Sequence, residues 1–176
     1  MSPKAQLCRA CATGARDKQA AQLDSVRPWF GVEPDYSGVP EDFFRAFAGF
    51  FMGEGSINIK AKPFTVLVDV ALHTDNRGVL TRAQSYFGGS VFDYHNHPIS
   101  DWRLQGLLPC RAFLTRVRDH ASPLGAIKTR GIDIALAYIE WRLTRPHHLS
   151  DEDKAEVERW RHRLVEARKR GQVISA

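Results

Sequence analysis

The sequence predicts an α+β fold in which two helix-plus-hairpin units follow one another, in the order α-β-β-α-β-β-α, with further helices behind them. Three observations carry that prediction. Phenylalanines recur at helical spacing over residues 43–51. Two strictly alternating stretches then flank Lys62-Pro63. After a short helical segment, SVFDYHN and SDWRLQG form a second alternating pair. Periods of about 3.6 and 2 residues are the sequence signatures of a half-buried helix and a half-buried strand.

The elements follow in order. Residues 1–39 mix Gly, Pro, Asp and Ser without sustained periodicity and read as an irregular arm, with a short helix around 17–26. Pro40 suits the first helical position, and Glu41 and Asp42 complement the positive end of the helix dipole. Phe43, Phe44, Phe47, Phe50 and Phe51 are expected on one face, and Ala46, Gly49 and Gly53 on another. An interior glycine costs about 1 kcal/mol against alanine, so Gly49 calls for a packing reason, the simplest being close approach of another helix. In the first strand Ser56, Asn58, Lys60 and Lys62 alternate with Ile57, Ile59 and Ala61. The second strand, TVLVDVALHT, turns Val66, Val68, Val70 and Leu72 inward. Residues 77–87 read as a helix closed by Gly88-Gly89, and His97-Pro98 marks the turn of the second hairpin. Helices are expected at about 108–120 and 129–144, the latter with Ile132, Leu136, Ile139 and Leu143 on one face. Ser150 with Asp153 approximates a capping box for a last helix that Gly171 closes. The organisation is therefore an arm over 1–39, a core over 40–146 and a C-terminal helix over 147–176.

Composition bounds the rest. The chain has 176 residues, 43% hydrophobic and 26% charged, enough for one core. No apolar run is long enough to span a bilayer, and the N-terminus lacks the apolar centre of a secretory signal, so no membrane partner is expected. Three cysteines make a poor disulfide framework and point to an intracellular, reducing compartment. A net charge of +5 fits a nucleic-acid binder without requiring one. The stretch AGFFMGEGS at 48–56 is the sharpest local puzzle. A carboxylate at a helix C-terminus, beside unpaired carbonyls, costs about 0.3–1 kcal/mol unless something positive is near. Glu54 therefore marks a solvated helix end or a cation site.

The motif FAGFFMGEG at 47–55, opening this order of elements, resembles that of the LAGLIDADG homing endonucleases. SDWRLQGLLPCRAFL resembles the fourth strand and following helix of that family, and PLGAIKTRGIDIALAYIE its segment with a basic catalytic residue; together these cover about residues 41–144. The resemblance implies a saddle-shaped antiparallel sheet seated in the DNA major groove and extra C-terminal helices. With one motif per chain it implies a homodimer, joined through Ala46, Gly49 and Gly53 and reading a long pseudo-palindromic double-stranded site. It implies phosphodiester hydrolysis with Mg2+, Mn2+ being able to substitute. Glu54 and the Gly53 carbonyl would be the metal ligands, Lys128 the basic residue near the active site, and Asp69 the polar group that orients solvent. Met52 departs from the family pattern, standing where another acid is usual. This leaves open a protein of the same fold that binds nucleic acid without cutting it, a maturase or a regulator.

Outward positions of the sheet are candidates for DNA contact: Ser56, Asn58, Lys60 and Lys62 on the first strand, Thr65, Asp69 and His73 on the second, and Phe92, Tyr94, Asp101, Arg103 and Gln105 on the second hairpin. Asn, Gln and Arg suit base edges, while lysines more often hold phosphates. In the third strand both sides mix character, so its facing is open. His95-Asn96-His97 spells HNH, but that nuclease signature is spread over a ββα unit and is not a tripeptide. Cys8 and Cys11 form half a zinc pair without a second half. The last helix is expected to pack through Val157, Trp160 and Leu164 with its basic end, Arg168-Lys169-Arg170, in solvent.

Overall fold

The computed structural model describes residue 30, residues 32–120 and residues 126–169. The helix expected around 17–26, the Cys8/Cys11 pair, Arg170 and Gly171 lie outside these. The elements are α1 (Glu41–Glu54), β1 (Gly55–Ile59), β2 (Val66–His73), a 3-10 turn (Thr74–Asn76), α2 (Arg77–Phe87), β3 (Ser90–Asp93), β4 (Ile99–Gln105), α3 (Leu107–His120), α4 (Ala126–Leu143) and α5 (Asp151–Lys169). The two hairpins form one antiparallel sheet of order β1-β2-β4-β3. None of the described helices is long and apolar enough to cross a membrane.

The register turns Val66, Val68 and Val70 of β2 and Trp102 and Leu104 of β4 to the helix-covered face, where all are buried. They meet Phe44, Phe47 and Phe51 of α1, Phe87 of α2 and Phe113 of α3 in one core. Aromatic rings dominate it: Trp102 lies edge-on to Phe47 at 5.2 Å and to Phe113 at 5.5 Å, and Phe87 to Phe113 at 5.2 Å. Edge-to-face pairs suit the opposed charge of ring faces and edges. The buried indole N–H of Trp102 donates to the Gly88 carbonyl at 2.9 Å. Gly89 beside it has φ +82°, and a Cβ there would lie 2.2 Å from the Arg103 carbonyl, so neither its conformation nor its space admits a side chain.

The segment before α1 joins this core. Tyr36 and Val39 are buried, and the Tyr36 hydroxyl donates to the Phe87 carbonyl at 3.0 Å. Arg116 of α3 donates to the carbonyls of Tyr36 and Val39 and to Glu41, with its guanidinium 4.1 Å from the Phe44 ring centre. At the far end of α4, buried Arg142 donates to the carbonyls of Arg145, Pro146 and His147 and so closes the turn into α5. Ser150 and Asp153 exchange the hydrogen bonds expected of a capping box there.

Three local expectations are corrected. Phe50 does not join the other phenylalanines: it is 40% exposed and shares the outward stripe of Ala46, Gly49 and Gly53, because residues 46, 50 and 53 repeat at one helical turn. β1 ends at Ile59, so Lys60 and Lys62 lie past it; the Lys60 N–H already closes the turn on the Thr65 carbonyl at 2.8 Å, and Phe64 sits at φ 59°. Arg168 is not simply solvated, since its guanidinium donates to the Ile57 carbonyl.

Candidate active site

Residues 53–56 run from helix directly into strand, and Gly55 makes this possible. A Cβ on Gly55 would lie 2.4 Å from the Phe51 ring and 2.6 Å from the Phe51 carbonyl. Only glycine allows the chain to leave α1 across a buried phenylalanine, which explains the second glycine of Gly-Glu-Gly. The first has no such reason within the chain: a Cβ on Gly53 or Gly49 meets nothing within 4 Å. Glu54, between them, is exposed at the C-terminal end of α1, where the last turn carries no basic residue. Its carboxylate makes no hydrogen bond or ion pair with the described residues.

Two further candidate groups converge on this corner. Lys128, at the start of α4, donates to the Gly55 carbonyl and holds its ammonium 5.7 Å from the Phe51 ring centre. Burial pushes its pKa below the ordinary lysine value, as does neighbouring Arg168, while Asp69 and Glu54 push the other way. Asp69 pairs with Ser56 across β1 and β2 and accepts hydrogen bonds from the Ser56 hydroxyl at 2.7 Å and the Asn58 amide at 3.3 Å. Glu54, Asp69 and Lys128 thus share one electrostatic neighbourhood at the head of β1. Behind it lies a cavity of about 520 Å³ lined by Met52, Ile57, Ile127, Lys128, Leu164 and Arg168, among others.

Arg168 also meets this corner, against the expectation of a solvated helix end, and the sequence carries a signal for it. Val157, Arg161, Leu164 and Arg168 recur at helical spacing, so two arginines lie on the core-facing stripe of α5. Arg161 donates to the Ile59 carbonyl at 3.2 Å, Arg168 to that of Ile57 and Lys128 to that of Gly55. β1 is an edge strand, and its outward carbonyls are thereby covered by three cations.

The outer face of the sheet holds the remaining candidates. One row runs Ser56, Asp69, Arg103, Ser90 across the four strands, with Asp101 opposite Phe92 in the next. β3 ends at Asp93, so Tyr94 lies past it; Phe92 and Tyr94 are exposed, and the Tyr94 hydroxyl donates to an Asp101 carboxylate oxygen at 3.3 Å. Gln105 is exposed, and His73, closing β2, accepts from the Asp75 N–H at 3.3 Å. Two outward candidates are not presented to solvent. Thr65 is buried where the β1–β2 turn closes, and Asp101 is 4% exposed beneath Arg103 and Tyr94. Cys110 is a core group whose thiol burial pushes up to about 12.

Among the described residues no three His, Cys, Asp or Glu side chains cluster as a protein cage for a metal. Mg2+ does not need one: it is commonly held by one or two carboxylates, with water and substrate phosphate completing the shell. Glu54, unpaired and exposed, with the Gly53 carbonyl beside it, fits such a half-site.

No family model and no curated protein matches the chain. Solved structures do. The homing endonuclease I-CvuI, in complex with I-CreI target DNA that is not cleaved in the presence of magnesium, matches with a TM-score of 0.57 at 18% identity, over 70% of this chain and 80% of that one. The LAGLIDADG meganuclease I-AabMI, bound to uncleaved DNA, matches with a TM-score of 0.56 at 18% identity, over 69% of this chain but only 43% of that one. The homing endonuclease I-TnaI matches with a TM-score of 0.51 at 20% identity, over 71% of this chain and 97% of that one. The chain has the LAGLIDADG homing-endonuclease fold.

Proposed function

We propose that the chain is a site-specific endonuclease that hydrolyses phosphodiester bonds of double-stranded DNA as a homodimer with bound Mg2+. One observation carries this reading: an unpaired carboxylate, Glu54, ends a helix whose outward stripe of Ala46, Gly49, Phe50 and Gly53 is exposed, and Lys128 and Asp69 converge on the same corner. A second copy packed on that stripe brings a second Glu54 and Gly53 carbonyl to the two-fold axis, supplying the half-site that one chain lacks. Glu54 and the Gly53 carbonyl would hold the metal, which would neutralise phosphate charge and acidify water. Lys128, anchored on the Gly55 carbonyl, places positive charge where charge develops on the phosphate. Asp69, fixed by Ser56 and Asn58, orients solvent. Ser56, Asn58, Lys60, Lys62, His73, Arg103 and Gln105 present polar groups to the duplex.

The test is incubation of a long duplex carrying the uninterrupted home locus with wild type and Glu54→Gln, in Mg2+ and in EDTA. A discrete cut that needs Mg2+ and disappears in the variant is expected. A second reading, specific binding without cutting, is favoured by Met52, a neutral side chain at the position where the resemblance implies another acid. Retained binding with no cut by wild type would select it.

A further inference from the structure

The second hairpin builds a polar cluster on the outer face beside Asp69, the register partner of Arg103. Arg103 Nε donates to Asp101 Oδ2 at 2.7 Å, and Nη2 donates to the Tyr94 hydroxyl at 2.6 Å. The same hydroxyl lies 3.3 Å from Asp101 Oδ2, closing a triangle of three groups. The Phe92 ring centre lies 5.0 Å from the guanidinium carbon. A guanidinium is a planar fork of five donors. Asp101 and Tyr94 occupy its Nε side, which leaves the Nη1 and outer Nη2 hydrogens at the tip without a partner among the described residues. The side chain remains 39% exposed.

Asp101 itself is not offered to a ligand. It is 4% exposed, and its Oδ1 is buried without a hydrogen-bond partner among the described residues. A buried carboxylate with an orphaned oxygen is costly, and what it supplies here is a fixed direction for the arginine. Burial lifts the Asp101 carboxyl above its ordinary range while Arg103 opposes the shift, so the two groups depend on each other. The pairing also argues against phosphate anchoring, because an arginine neutralised by an adjacent carboxylate adds little net positive charge. Recognition by such a group rests on hydrogen-bond geometry.

We infer that Arg103 is a pre-positioned reader of a guanine in the major groove, and that Asp101 sets its orientation without touching DNA. The inference rests on the proposed binding of double-stranded DNA. In the major groove guanine presents two adjacent acceptors, O6 and N7, which match the two free hydrogens at the tip. Adenine replaces one acceptor with a donor, and neither pyrimidine offers the pair. A lysine in the same place retains charge but not the fork.

The experiment is selection from a randomised duplex library, with Ca2+ in place of Mg2+, using the full chain and its Arg103→Lys, Arg103→Ala and Asp101→Asn variants. Thermal melts establish that each variant is folded. Wild type is expected to enrich a motif containing a guanine that Arg103→Lys and Arg103→Ala no longer select, with the other positions unchanged. Discrimination at that base pair should fall by about tenfold or more, in line with a bidentate contact. Asp101→Asn should weaken the same position alone. A motif that persists unchanged in Arg103→Lys, or affinity lost evenly across all positions as for a phosphate contact, overturns the assignment while leaving DNA binding intact. An unchanged motif in Asp101→Asn overturns the positioning role. No enriched motif with wild type overturns the DNA reading and the assignment together.

Discussion

Glu54, Asp69 and Asp101 are three carboxylates with different surroundings: the first makes no hydrogen bond with the described residues, the second accepts from Ser56 and Asn58 through one oxygen, and the third is covered by Arg103 and Tyr94. Their distinction was only partly legible in sequence. Glu54 stands out because a carboxylate at a helix C-terminus is electrostatically misplaced. Asp69 and Asp101 both occupy outward strand positions, and period alone cannot tell an exposed acid from one covered by its neighbours. A fourth acid, Glu41, works by ordinary linkage. The His120 ring, then Arg45 and Arg116, hold its carboxyl at about 2 rather than the ordinary 4.5. Because the folded-state value is the lower one, the stabilisation from Glu41 is fully present above pH 4.5 and is lost as pH falls towards 2. Glu41→Gln should therefore flatten the decline of the urea-unfolding midpoint across that window while lowering the midpoint at neutral pH.

At the scale of elements, α1 presents two faces with different requirements. Its phenylalanine face is buried, whereas Gly49 faces open space in a single chain. Gly49→Ala is thus expected to act with opposite signs on two measurements. It should raise the stability of the isolated chain by about 1 kcal/mol through helix propensity. It should also weaken self-association in sedimentation equilibrium, since a methyl group holds a partner helix away. Unchanged association would remove this stripe as the interface. β1 illustrates the complementary case, in which other elements complete a strand. Replacing Arg161 or Arg168 with Met should cost about 1 kcal/mol each, the net worth of one hydrogen bond. It should also speed amide exchange along β1, because the edge loses the cover it receives from α5.

For the molecule as a whole, one aromatic core joins both hairpins to α1, α2 and α3, so stability is shared across the fold. Phe47 is fully buried and touches the rings of Trp102, Phe87 and Phe113. Phe47→Ala should cost about 3–5 kcal/mol in chemical denaturation through lost burial and the cavity left behind. The order of elements, the inward strand residues, the phenylalanine face and the anomaly at Glu54 were legible in the chain, because periodicity and helix-end electrostatics act over neighbouring residues. That Phe50 lies outside the core, that β1 stops at Ile59, that Asp101 is covered, and that Lys128, Arg161 and Arg168 meet the β1 edge came from three-dimensional packing. Those outcomes depend on side chains brought together from up to 111 positions apart in the chain, as for Arg168 and Ile57, and no local period encodes such an encounter.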